Sequence, residues 1–165
     1  MDQRSRVGSA AARRQAGFTY LGLLFAIVLM GLMLSIAGRV WTTTEQRERE
    51  TQLLFIGHQF RMAISAYYAN GHQYPHALTD LLADNRYPVP NRYLRRLYPD
   101  PMTGRADWTL VFAPDGVGIQ GVASASRLRP IKRDGFQLID LTFKDQDCYC
   151  NWRFIYAPER YSRFY

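Results

Sequence analysis

Residues 18 to 37 read FTYLGLLFAIVLMGLMLSIA, an uncharged run of 20 residues bounded by Arg14 before it and Arg39 after it. At a rise of ~1.5 Å per residue such a helix covers roughly 30 Å, the hydrocarbon thickness of a bilayer. A membrane span over 18–37 is therefore expected. Arg4, Arg6, Arg13 and Arg14 precede it against the single acid Asp2. That asymmetry is expected to hold the amino terminus in the cytoplasm and to put everything after Arg39 on the other side, which in a didermic bacterium is the periplasm.

The charge of the chain makes sense once divided at the same place. Four of its 21 basic and one of its 14 acidic residues lie in 1–17, so that stretch carries +3 of the formal +7. The remaining +4 is spread over the other 148 residues and gives no reason to expect nucleic acid as a partner. With 47% apolar residues the composition is globular, and a chain of 165 residues has room for one modest domain beside the span.

Three readings compete for the apolar run. A cleaved secretory signal has a core of ~7 to 15 residues and a small-x-small site after it, which Ser35-Ile36-Ala37 supplies. The length of the run and the helical pattern continuing through Val40, Trp41 and Glu45–Glu50 argue against it. A plain signal anchor feeding a periplasmic binding domain that never polymerises is the second reading.

The third rests on the junction Ala16-Gly17-Phe18-Thr19, which has arginines upstream and an apolar run opening on phenylalanine. It resembles the prepilin-peptidase site of type IV pilins and type II secretion pseudopilins. The resemblance implies cleavage between Gly17 and Phe18, methylation of the new amino terminus at Phe18, and retention of the apolar helix. That helix, with Phe18, Tyr20, Leu21, Gly22, Leu24 and Phe25 at its start, would anchor the subunit in the membrane and later pack into a filament. The family's glutamate at the fifth mature position is Gly22 here. Without a carboxylate to meet a neighbour's terminal amine, a tip or initiating role is expected rather than bulk filament. The competing reading is that Gly22 is a tolerated small residue.

Beyond the span, Leu53, Ile56, Phe60, Ile64 and Tyr67 recur at three- and four-residue spacing, an amphipathic stripe that needs a partner surface. Glu45 and Arg49 form an i,i+4 pair, and Asn70-Gly71 reads as the carboxy-terminal cap, with glycine left-handed. A short helix is expected over 76–84. Trp108, Leu110 and Phe112 alternate with Thr109 and Val111, Pro114-Asp115-Gly116 turns the chain, and 117–122 returns. A second strand pair is expected over 136–143 and 152–156, with Trp152, Phe154 and Tyr156 on one face. These elements predict an α+β fold in which the long helix covers a small antiparallel sheet. The expected divisions are a leader over 1–17, the span over 18–37, a stem helix over 38–70 and a globular domain over 71–165.

Tyr74-Pro75, a leucine-rich helix, Tyr98-Pro99-Asp100-Pro101-Met102-Thr103-Gly104 and a tryptophan-bearing strand occur in that order. They are similar to the major-type pseudopilin of type II secretion, and the resemblance runs from Gly17 to the end of the sheet. It implies a type IV pilin-like fold and a short periplasmic filament that drives protein export. It also implies partners: other pseudopilins or pilins, the prepilin peptidase, and an inner-membrane platform with its ATPase. A minor pilin in adhesion, motility or DNA uptake is the rival. For that role the basic, aromatic stretch Arg92, Tyr93, Arg95, Arg96 and Tyr98 would serve, against the plainer reading of a solvated face.

Asp134, Asp140, Asp145 and Asp147 put four carboxylates within 14 residues, the ligand type of calcium. They match neither an EF-hand nor the family's calcium loop, so solvated loop acids are the competing reading. Cys148 and Cys150 would project from one face of a strand, and a tight disulfide is expected in an oxidising compartment; two thiolates without a nearby histidine are too few for a structural zinc. His58 is expected on the polar side of the stem. The chain has no Walker loop, GxSxG, HExxH or dinucleotide fingerprint, and catalysis is not expected.

Overall fold

The computed structural model describes the backbone of residues 16–158, and the side chains of 19–33 and 42–158. Helix α1 runs over Ala16–Gly71, and the chain divides into two compact units, Met1–Thr44 and Glu45–Tyr165. The predicted leader residues 1–15 and the side chains of Gly17 and Phe18 lie outside the described residues.

In the first unit, no described residue from Thr19 to Met33 is buried. Among the described residues, no helix is long and apolar enough to cross a membrane. The expected span over 18–37 includes side chains at 34–37 that fall outside that set.

The second unit is α+β. Strands β1 (Thr109–Phe112), β2 (Ile119–Ala123) and β3 (Arg153–Ile155) form an antiparallel sheet in the order β1-β2-β3. The β1–β2 hairpin turns through Pro114-Asp115-Gly116, where Gly116 has φ 74° as the turn chemistry requires. Central strand β2 is the most buried of the three, and Val122 faces Leu110 on one side and Phe154 on the other.

The stripe on α1 is the helical half of the core. Leu53, Phe60 and Ile64 are completely buried and Tyr67 nearly so, packed with Trp108, Val122, Phe143, Tyr149, Trp152 and Phe154. Gly57 continues this face, and Phe154 fills the space its side chain would take: a Cβ there would lie 2.5 Å from three ring carbons. The helix and β3 approach through a glycine because the ring needs that volume.

Four expectations need correction. Within 136–143 the chain forms a 3-10 helix over Leu138–Phe143 and no strand; its turn of three buries Asp140 and Phe143 together while Leu138 and Leu141 face solvent. Asp140 is drawn inward by an ion pair, which an extended strand on the sheet would not allow. The helix expected over 76–84 shrinks to a 3-10 turn, Leu78–Leu81, because Asp84 pairs by a backbone bridge with Asn91. Left-handed geometry falls on His72 (φ 52°), not Gly71; the His72 N–H closes the helix on the Tyr68 carbonyl at 2.7 Å. Gly71 stays helical, and its lack of a side chain makes room for the Arg86 guanidinium. Finally, Tyr149–Asn151 is a 3-10 turn with Cys148 at its N-cap, so the two cysteines do not project from a strand.

Candidate functional site

The residues expected to start an assembly helix are all on α1 and all open to solvent where described. Tyr20, Leu21 and Phe25 are each about two-thirds exposed, at 64%, 66% and 65%, and Leu24 is exposed beside them. Leu23, Ile27, Val28, Leu29, Met30, Leu32 and Met33 extend the apolar surface around every side of the helix. At Gly22 nothing beyond the helix's own adjoining backbone lies within 4 Å of where a Cβ would stand, so the helix presents a bare notch there.

The second unit has its polar groups matched in pairs far apart in sequence. Glu50, on the buried side of α1, accepts the Ile131 and Lys132 amides at 2.9 and 3.0 Å and the Tyr149 hydroxyl at 2.7 Å. Gln46, one turn earlier, donates to the Arg129 carbonyl and to the Tyr149 oxygen. Burial pushes the Tyr149 phenol up to about 12, and the neighbouring Glu50 carboxylate adds to the effect.

Asp100 gives the Tyr98–Gly104 motif its physical meaning. Its carboxylate is completely buried and accepts the Met102 amide at 2.9 Å, the Ser124 hydroxyl at 2.6 Å and the Ala125 amide at 3.1 Å. The Gly104 amide donates to the Asp100 carbonyl at 2.7 Å, with Gly104 left-handed at φ 72°. Trp108 donates its indole N–H to the Tyr98 carbonyl at 2.7 Å and stands edge-on to Phe60. The motif is a clasp joining the start of β1, the end of β2 and the stem.

Asp84 and Arg86 secure the end of the stem. Arg86 makes three bonds to the Asp84 carboxylate, two from its guanidinium and one from its backbone amide; the guanidinium also donates to the Tyr67 carbonyl at 3.0 Å and lies 3.7 Å above the Tyr67 ring. The Arg86 bonds hold the Asp84 carboxyl down to about 2 despite burial, helped by the Tyr93 hydroxyl.

The four aspartates weighed as calcium ligands do not converge. Asp140 is buried against Arg61 at 2.7 Å and His58 at 3.0 Å; burial alone would raise its pKa, but His58 and Arg61 together hold it below the ordinary value. Asp134 pairs with Lys144, Asp147 lies 3.7 Å from Arg129, and Asp145 is an exposed left-handed residue. Among the described residues, no group of three or more acids, histidines or cysteines is placed to hold a metal. His58, expected on the polar side of the stem, has its side chain 31% exposed; it bridges the stem to the 3-10 helix through Asp140 and edges onto Phe154.

Cys148 and Cys150 are joined in a disulfide, with Cα atoms 5.2 Å apart. The basic stretch is a loop: Arg92 donates to the Arg95 carbonyl, Arg96 lies over the Tyr98 ring, and Tyr93 faces inward against Tyr67. Arg95 and Arg96 remain exposed. Sequence reading did not single out Glu50, Arg61 or Asp84, and named Asp100 only as part of its turn motif. For the first two a signal existed, since each interrupts the apolar face of α1.

No family model, no curated protein and no solved structure matches this chain.

Proposed function

We propose that the chain is a pilin-like assembly subunit, a pseudopilin of a type II secretion system with a type IV pilin-like fold. The observation that carries this reading is the contrast along α1. From Glu50 onward its inward residues are covered by the sheet and loops of the second unit, whereas the described large apolar side chains of Thr19–Met33 are exposed on every side of the helix. A helix apolar all round is stable in lipid or packed among like helices, not in water. Anchoring before assembly and helix packing after it satisfy both requirements with one segment. Calcium has no part in the proposal.

The mechanism is mechanical. Cleavage at Gly17/Phe18 frees the helix for extraction by an inner-membrane platform and its ATPase, and the helix then packs beside those of other pseudopilins in a periplasmic filament. Gly22 offers no carboxylate to a neighbour, which suits a minor or tip-proximal subunit.

Variants carrying a photo-crosslinking diazirine amino acid at Leu24 or Phe25, which on irradiation lose N2 and insert into a neighbour's C–H bond, test the packing in intact cells. Adducts with other pilin-like subunits are expected. Chain that stays in the membrane and forms no such adduct at either position would instead support a signal-anchored binding domain. The exposed Arg95 and Arg96 favour one rival, a DNA-handling minor pilin. Charge reversal at Arg92, Arg95 and Arg96 that abolishes DNA binding and leaves secretion intact would select it.

A further inference from the structure

The Cys148–Cys150 disulfide closes a single turn around Tyr149, and that turn is where three parts of the second unit meet. Tyr149 is completely buried, its ring edge-on to Trp152 and its hydroxyl on Glu50 of the stem. The Tyr149 amide donates to the Leu128 carbonyl and the Cys150 amide to the Ser126 carbonyl, both at 3.1 Å. Ser126 donates its own amide to Ser124 Oγ, which is bonded to Asp100. Segment 124–132 is thus held on one side by the disulfide turn and on the other by the two buried carboxylates. Both cysteines are only half-buried, while the tyrosine between them is sealed.

We infer that Cys148 and Cys150 form a redox-modification site, open to a thiol–disulfide exchange partner, whose oxidation state sets how firmly segment 126–132 is attached to the stem. The external reductant is a dithiol. One of its thiolates attacks a sulfur of the pair, forming a mixed disulfide and releasing the other cysteine as a thiolate that takes up a proton. Its second thiol displaces the remaining protein sulfur. Two electrons pass to the protein, leaving two protein thiols and an oxidised partner. Opening the turn restores the freedom of residues 148–150 and removes the constraint that keeps the Tyr149 hydroxyl on Glu50. Glu50 then keeps only the two backbone donors, Ile131 and Lys132, from a loop no longer braced by the Tyr149 and Cys150 amides at the Leu128 and Ser126 carbonyls. Tyr149 packs at the edge of the core against Trp152, but neither cysteine belongs to it and the α1, β2 and β3 residues pack on one another without them, so the effect is local. This inference does not depend on the filament reading, because every group in it belongs to the second unit.

Amide hydrogen exchange of the full chain in detergent, oxidised against dithiol-reduced, tests it, with the Cys148→Ser/Cys150→Ser double variant as a second route to the open turn. Amides of Ile131, Lys132, Tyr149 and Cys150 are expected to exchange at least ~10-fold faster in both open forms, with those of Val122 and Phe154 unchanged. Equal exchange at those four amides in the oxidised and open forms would overturn the inference. So would a rise shared by Val122 and Phe154, which would make the disulfide a global brace rather than a local control.

Discussion

Arg61 Nη2 lies 2.7 Å from Asp140 Oδ1, with the two side chains only 3% and 2% exposed, joining the stem to the 3-10 helix over Leu138–Phe143. An ion pair sealed this well is costly to break from one side, because the surviving charge is left buried and alone. Asp140→Ala is expected to destabilise the second unit by about 3–5 kcal/mol, a large share of a typical domain's stability. The Arg61→Met/Asp140→Leu double variant is expected to recover most of the loss. Urea unfolding of the full chain in detergent measures both, and a single variant as stable as the double would contradict the pairing.

How much of this was readable beforehand divides along physical lines. The stripe Leu53–Tyr67, the β1–β2 hairpin and the inward Trp152, Phe154 and Tyr156 follow from periodicity, which local sequence carries. Residues 136–143 did not, because Phe136, Leu138 and Phe143 suit a strand on propensity, and the decision belongs to Asp140 and its partners 79 and 82 residues away on α1. The same holds for Glu50, whose donors come from distant loops, and for Asp100, two of whose three donors, Ser124 and Ala125, follow the end of β2. A charge on an apolar helix face, as at Glu50 and Arg61, is the readable trace of such a pairing; the partner is not readable. The exposed segment Thr19–Met33 was legible as apolar from composition alone.

Asp100→Asn should test the clasp. All the described groups on the Asp100 carboxylate are donors, so an amide would turn its own NH2 toward one of them and leave buried groups unmatched. A loss of about 2–3 kcal/mol is expected, with the urea midpoint lowered and the slope unchanged. Asn at this position with wild-type stability would show that the clasp does not hold β1 to β2.

Acid stability should depend on Asp84. Its folded pKa of about 2 lies below the ordinary 3.8, so its contribution is fully present above pH 3.8 and fades as pH falls towards 2. Roughly 1–2 kcal/mol should be lost across that window. Asp140, also lowered, titrates in the same direction, so the Arg86→Leu variant is needed to isolate Asp84. Its pH profile should be flatter below pH 4; an unchanged slope would remove Asp84 from the account.

Two glycines should respond in opposite ways. Gly57→Ala places a methyl into the Phe154 ring and is expected to cost about 1–3 kcal/mol. Gly22→Ala meets nothing within 4 Å and should leave the thermal midpoint of the second unit where it is. Gly22→Glu supplies the carboxylate usual in pilins and should raise incorporation along the filament if Gly22 sets a tip-proximal role. Unaltered incorporation and position would leave Gly22 without that meaning.

The filament account depends first on where the chain is cut. Mass spectrometry of the mature protein from its native membrane reads that site directly. The account predicts a chain beginning at a methylated Phe18, with residues 1–17 removed and the apolar run retained. A chain beginning at Gly38, or one that keeps the leader, would contradict it.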